Sequence, residues 1–171
     1  MMFEREPILQ GLRLSVRPFI ASDVGSAYLG WLNDPEVTRF SNQRFKRHDA
    51  ISALTYLTTF DGSDNRFLLV CDTESARPIG TLTVYASRPH GTADIGIMIG
   101  ERKVWGKGIG AEAFCLVLSA LKASGSAPIS LRRSRTSDLT KPARMALFKS
   151  KSLMMCGKYT LRLFFPEPTS L

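Results

Sequence analysis

An α/β (α+β) domain, with a mixed and mostly antiparallel central sheet flanked by helices, is the fold class the sequence predicts. Three observations predict it. Runs with strand periodicity and runs with helical periodicity follow one another in the order β-α-α-β-β-β-α-β-α-β. Two of the strand runs, residues 66–73 and 78–87, are joined by a short turn-rich link, as antiparallel neighbours are. Finally, "VWGKGIGAEAF" (104–114) sets three glycines between a strand and a helix.

Each element has a local reason. "LRLSVRPF" (12–19) alternates apolar and polar side chains, predicting a strand with Leu12, Leu14 and Val16 on one face. Asp23 is the expected cap of a helix over 24–34, which must end before Pro35. Residues 36–49 read as a polar connection with a short helical turn, and 48–60 as a helix capped by Asp49. Strands are expected over 66–73, 78–87 and 92–100. The helix after the glycines carries apolar residues at 113, 114, 117, 118 and 121, with Gly125 as its stop. A strand over 128–134, a helix over 141–153 with Pro142 in its first turn, and a strand over 159–165 complete the pattern. No repeat, low-complexity stretch or linker interrupts the 171 residues, so a single domain, 1–171, is expected.

Composition narrows the function classes. With 44% apolar and 22% charged residues the chain reads as a globular protein, and no apolar run reaches membrane-spanning length. Cys71, Cys115 and Cys156 are odd in number and widely spaced, which suits neither a disulfide framework nor a zinc site. No metal is expected, and the compartment expected is the cytoplasm. The net charge of +8 is uneven: the first 120 residues balance, and the excess lies after them, where only Asp138 and Glu167 are acidic. The basic stretch "LRRSRTSDLTKPAR" lacks the interleaved aromatics of a nucleic-acid-binding surface, so attraction of a small anionic ligand or plain surface charge is the better reading.

Glycine loses more backbone freedom on ordering than any other residue, so Gly106, Gly108 and Gly110 imply a need for bare backbone. A strand, a glycine turn and a helix N-terminus together direct several N–H groups toward one point at the positive end of a helix dipole, which suits a phosphate. The pattern is not a P-loop, since no Gly-Lys-Ser/Thr closes it. It also fits G-x-G-x-x-G poorly, the third glycine coming too early.

The segment Trp105-Gly106-Lys107-Gly108-Ile109-Gly110 resembles the Arg/Gln-x-x-Gly-x-Gly/Ala signature of the GNAT superfamily of N-acetyltransferases, with Trp105 in the Arg/Gln slot. Together with "WLNDPEV" (31–37), it is similar to the branch that holds ribosomal-protein alanine and amino-sugar acetyltransferases. The likeness covers residues 10–124 well. It implies a splayed strand pair holding acetyl-coenzyme A as co-substrate. It also implies that the amides of Gly106, Lys107, Gly108, Ile109, Gly110 and Ala111 carry the pyrophosphate, and that the pantetheine arm pairs along Ile97, Met98 and Ile99.

Transfer to an amine needs a base for the ammonium proton and a route for the departing thiolate. Asp94 lies where many relatives place a glutamate acting through water, and the alternative for it is a solvated strand-end carboxylate. Phe148 occupies the slot of the tyrosine that in many relatives protonates the thiolate, and it has no proton to give. Thr140 is the nearest counterpart of a coenzyme-contacting asparagine, one residue out of spacing.

"WLNDPEVTRFSNQRF" matches the region that walls the acceptor pocket in relatives. There Trp31, Asn33, Arg39, Asn42 and Arg44 are the candidate acceptor residues, the alternative being that Trp31 is core and the arginines are solvated. Arginines suit a diphosphate because their forked donors bind it bidentately. The expected partner is a small-molecule amine, an amino-sugar nucleotide before a protein α-amine, with no membrane partner and with a homodimer compatible. A coenzyme A-binding domain without turnover is the alternative of another class. After about residue 124 the family pattern and the composition change together, which suits either a divergent acceptor end or an altered reading frame.

Overall fold

The run "FLLVC" has no polar face, so a strand made from it must be covered on both sides. The computed structural model, which describes residues 8–87, 92–123, 130–133 and 159–164, provides that cover. Strand β3 (Arg66–Asp72) is buried from Phe67 to Cys71. Phe67, Leu69 and Cys71 face one layer and Leu68 and Val70 the other, as the two-residue strand period requires.

Among the described residues seven strands make one sheet: β1 (Leu9–Gln10), β2 (Leu14–Pro18), β3, β4 (Pro78–Ser87), β5 (Thr92–Ile99), β6 (Ser130–Arg133) and β7 (Tyr159–Phe164). Their order is β1-β2-β3-β4-β5-β7-β6, and every neighbouring pair is antiparallel. The β4–β5 pair is the longest, running from Gly80↔Ile99 to Ser87↔Thr92. Among the described residues the β5–β7 register runs from Thr92↔Phe164 to Ile97↔Tyr159, and Met98 and Ile99 lead β5 on toward the glycine turn.

Helices α1 (Ser26–Asn33), α2 (Pro35–Thr38) and α3 (Ala50–Thr58) cover one face. There Tyr28, Trp31, Leu32, Val37 and Ala53 pack with Phe19, Phe60 and the outward residues of β3. Helix α4 (Ile109–Ala123) covers the other, setting Ile109, Ala113 and Val117 on Leu14, Val16, Leu82, Val84, Ile95 and Ile97. Leu14, Leu82 and Ile95 are fully buried, each contributing about 1.5–3 kcal/mol. Asp49 caps α3 reciprocally: its Oδ1 accepts from the Ser52 N–H at 2.8 Å while Ser52 Oγ accepts from the Asp49 N–H at 3.0 Å.

Two local readings are corrected. Leu12 does not share a face with Leu14 and Val16; it is 90% exposed, because the chain turns there, Gly11 N–H donating to Leu14 O at 2.8 Å. Asp23 does not cap α1, whose N-cap is Gly25. It accepts from both Arg17 Nη atoms at 2.7 and 2.8 Å and from the Ile20 N–H, fastening the end of β2 to the following turn. The anticipated helix over 141–153 and the Gly125 stop lie outside the described residues.

At the end of β5 the helical layer meets bare backbone. A Cβ built on Gly100 would stand 2.0 Å from Trp31 Cδ2. Gly100→Ala is expected to destabilise the fold by about 1–3 kcal/mol, the range for overpacking a filled site. Urea denaturation checks this, and an unchanged midpoint would show that the indole shifts freely.

A second expectation concerns acid. Burial pushes Asp23 up, but its bonds from Arg17 and Ile20 outweigh that and hold the carboxyl below the usual range. A carboxylate depressed in the folded state contributes stability above its unfolded pKa of about 3.9 and loses it as pH falls through the folded value. Asp23→Asn should therefore lower stability at pH 7 and shrink the further loss seen on acidification below that value. Parallel stability–pH curves for the two proteins would refute this.

Candidate active site

The glycine turn is built by its neighbours. After a 3-10 turn over Arg102–Val104, the Trp105 N–H donates to Arg102 O at 3.1 Å, and the indole Nε1–H donates to Ile99 O at 2.8 Å. That indole bond ties the end of β5 to the turn. Gly106 (φ 75°) and Gly108 (φ 78°) are left-handed, a region that strains residues with a Cβ. The Lys107 N–H donates weakly inward to Val104 O at 3.4 Å, and Glu112 N–H opens α4 by donating to Gly108 O. Among the described residues the N–H groups of Gly106, Gly108, Ile109, Gly110 and Ala111 find no hydrogen-bond partner. Five such donors grouped at a helix N-terminus suit an anion with several oxygens.

Arg13, between β1 and β2, holds this unit from the side. Its Nε donates to Glu112 Oε2 at 2.8 Å and its Nη1 to Lys107 O at 2.8 Å, while Nη2 lies 2.8 Å from Glu112 Oε2. The Arg13 backbone N–H adds a bond to Glu112 Oε1 at 2.9 Å.

Strand β5 presents two faces. Ala93, Ile95 and Ile97 are buried toward α4, with Ile99 packed against the same cluster, and Met98 packs on the opposite, α1–α3 side. Asp94 belongs by periodicity to the Met98 face and pairs in register with Tyr85 on one side and Arg162 on the other. The Tyr85 and Tyr56 hydroxyls are hydrogen-bonded at 2.5 Å. Burial pushes the Tyr56 hydroxyl far above the usual tyrosine range, the bond to Tyr85 adding to it, and burial does the same to Tyr28. These two stay protonated at neutral pH.

Of the anticipated acceptor residues, Asn33 and Arg44 come together in an open cleft of about 720 Å³, which Phe45, Lys46, Arg47 and His48 also line. Asn33 is committed within the fold: its Nδ2 donates to Leu29 O and His48 O, and its Oδ1 accepts from the His48 N–H. Trp31 is buried against Gly100. Arg39, Asn42 and Arg44 are exposed, with Arg39 stacked over Phe40 and Arg44 over Phe45. Phe40 and Phe45 are 52% and 72% exposed, unusual for large apolar side chains.

Thr140 and Phe148 lie outside the described residues, as does Cys156. Cys71 and Cys115 are free thiols whose burial pushes their pKa up, away from reactivity. Sequence reasoning missed Arg13, Glu112 and Tyr85. An acidic residue in the first turn of the helix after the glycines marks Glu112; its partner depends on a pairing across 99 residues that no local pattern carries.

A family model described as "Acetyltransferase (GNAT) domain" matches residues 13–136. No curated protein matches the chain significantly. Among solved structures, the GNAT-family acetyltransferase from Bacillus anthracis is similar at a TM-score of 0.64 and 15% identity, over 92% of this chain and 98% of that one. A domain from Methanocaldococcus jannaschii is similar at 0.60 and 18%, over 90% and 99%. An acetyltransferase from Agrobacterium tumefaciens follows at 0.57 and 16%, over 91% and 93%. At these identities the likeness speaks to fold. The family match runs from β2 through β6 and takes in Asp94, the glycine turn and α4, so the chain belongs to the GNAT family of acetyltransferases.

Proposed function

We propose that this chain is an acetyl-coenzyme A-dependent N-acetyltransferase whose acceptor is a primary amine on a small anionic molecule, such as an amino-sugar nucleotide. The observation that carries the donor half is the set of uncommitted amides of Gly106, Gly108, Ile109, Gly110 and Ala111 beside left-handed glycines. A Cβ at Gly106 would meet nothing within 4 Å, so the turn stays bare where a pyrophosphate needs to approach. Gly108, Ile109, Gly110 and Ala111 hold the diphosphate, with Lys107 contributing charge more than its amide. Met98 and Ile99, at the end of β5 beside the glycine turn, border the path of the pantetheine arm. Acetyl-coenzyme A supplies the acetyl thioester.

The chain's own chemistry is proton handling. An Asp94 carboxylate oxygen takes the proton from the acceptor ammonium, directly or through water, freeing the nitrogen lone pair. Tyr85, its register partner, offers a hydroxyl to orient the amine. No acid is required at the Phe148 position, because a thiol with a pKa of about 8.5 leaves as its thiolate at small cost near neutral pH. Arg39 and Arg44, with Lys46 and Arg47 beside them, draw the anionic acceptor.

A protein α-amine is the second reading, favoured by Phe40 and Phe45, whose exposed rings beside arginines suit a peptide side chain. Reducing surroundings, as in the cytoplasm, fit the unpaired thiols.

Gly108→Asp puts a like charge and a Cβ into the diphosphate cradle and should weaken coenzyme A binding more than tenfold, about 1.4 kcal/mol. Lys107→Ala should cost less, because backbone supplies the main donors. Calorimetry decides, and the reverse order would point to a side-chain anchor.

Thiol release over a panel of amines tests the reaction and its acceptor. Turnover on an amino-sugar nucleotide should exceed that on an alanine-start peptide and fall steeply with salt. Asp94→Asn should lower kcat about a hundredfold with coenzyme affinity kept. A peptide preferred at every ionic strength would replace the acceptor but keep the transferase. No release with any amine would leave a coenzyme-binding domain.

A further inference from the structure

The Arg13 guanidinium does more than pair with Glu112. Nε and Nη2 take the Glu112 carboxylate, and Nη1 reaches past it to the Lys107 carbonyl at 2.8 Å. Arg13 is about half exposed at its side chain, and pairs of that kind stabilise a fold by about 0–1 kcal/mol at most. Its geometric effect is larger. In a planar trans peptide, the carbonyl of residue 107 and the N–H of residue 108 point in opposite directions. Gly108 sits at φ 78° and lacks a Cβ, so its own sterics do not select one orientation of the 107–108 peptide. Pulling the Lys107 carbonyl toward β2 turns the Gly108 N–H the other way.

Resting on the reading of the glycine turn as the diphosphate cradle, we infer that Arg13 is a positioning residue for coenzyme binding, setting the direction of the Gly108 N–H through the Lys107 carbonyl. The turn between β1 and β2 is shaped for this approach. A Cβ on Gly11 would stand 3.1 Å from Glu112 Oε1 and 3.0 Å from Leu14 O. Glu112 fixes the guanidinium plane, leaving Nη1 aimed at the turn. The preorganised donor costs no reorientation when a phosphate arrives.

The test is calorimetry with coenzyme A, thermal unfolding and steady-state kinetics on wild type, Gly108→Asp, Arg13→Met and the exchanged pair Arg13→Glu/Glu112→Arg. Arg13→Met should raise the Kd for coenzyme A and the KM for acetyl-coenzyme A about tenfold while kcat at saturation stays close to wild type. The exchanged pair restores an ion pair and no donor to Lys107 O, so its Tm should recover while its Kd stays raised. Wild-type affinity in Arg13→Met, or affinity regained in the exchanged pair, overturns the inference. Binding lost in Gly108→Asp but kept in Arg13→Met sinks the positioning role alone. A wild type that binds no coenzyme A removes the cradle reading, and this inference with it.

Discussion

Trp31 lies on Gly100 because that residue has no side chain, and much of the structure depends on this one close approach. The indole brings α1 onto the last turn of β5, and the chain beyond it is fastened by neighbours of the same contact. Trp105 caps the Ile99 carbonyl, and Arg102 reaches from the turn over the Trp105 ring toward Asp34, the cap of α2. Helices α1 and α2 and the glycine turn thereby share one corner. Had residue 100 carried a methyl group, the two layers could not both keep their positions.

The sheet supplies the second constraint. Because β3 is buried on both sides, the layers above and below it are separated, and β5 serves each with alternate residues. Ile95 and Ile97 seat α4, whose N-terminus carries the glycine turn. On the face set by Met98, Asp94 and Tyr85 stand in register. A strand period of two thus sets the seat of α4 and its glycine turn on one face and the Asp94–Tyr85 pair on the other, within a few residues of a single strand.

What was legible in the sequence follows from how local each feature is. The glycine turn, α4, the Asp49 cap and the central strands are written in neighbouring residues, and the sheet flanked by helices follows from their order. Leu12 shows the limit: its alternation with Leu14 looks like a strand face, and the Gly11–Leu14 turn overrides it. Asp23 looks like a cap because acidic residues before helices are caps, but Arg17 six residues earlier claims both its oxygens. In the site, Asp94 and the loop amides could be named from the resemblance. Trp31 could be offered as core, but its seat on Gly100 and the bonding of Asn33 to His48 are tertiary facts. Arg13 was invisible because its partners lie 94 and 99 residues away.

That same separation bears on the order in which the molecule assembles. Closing a loop of such length is entropically unfavourable until the intervening sheet has formed, and contacts this distant in sequence delay folding. During synthesis the first strand and its arginine emerge early and wait. The glycine turn gains its brace only once Glu112 has been made and α4 has docked on the sheet. The braced glycine turn is in this sense a late product of folding, and a chain halted before α4 carries the arginine with nothing to hold.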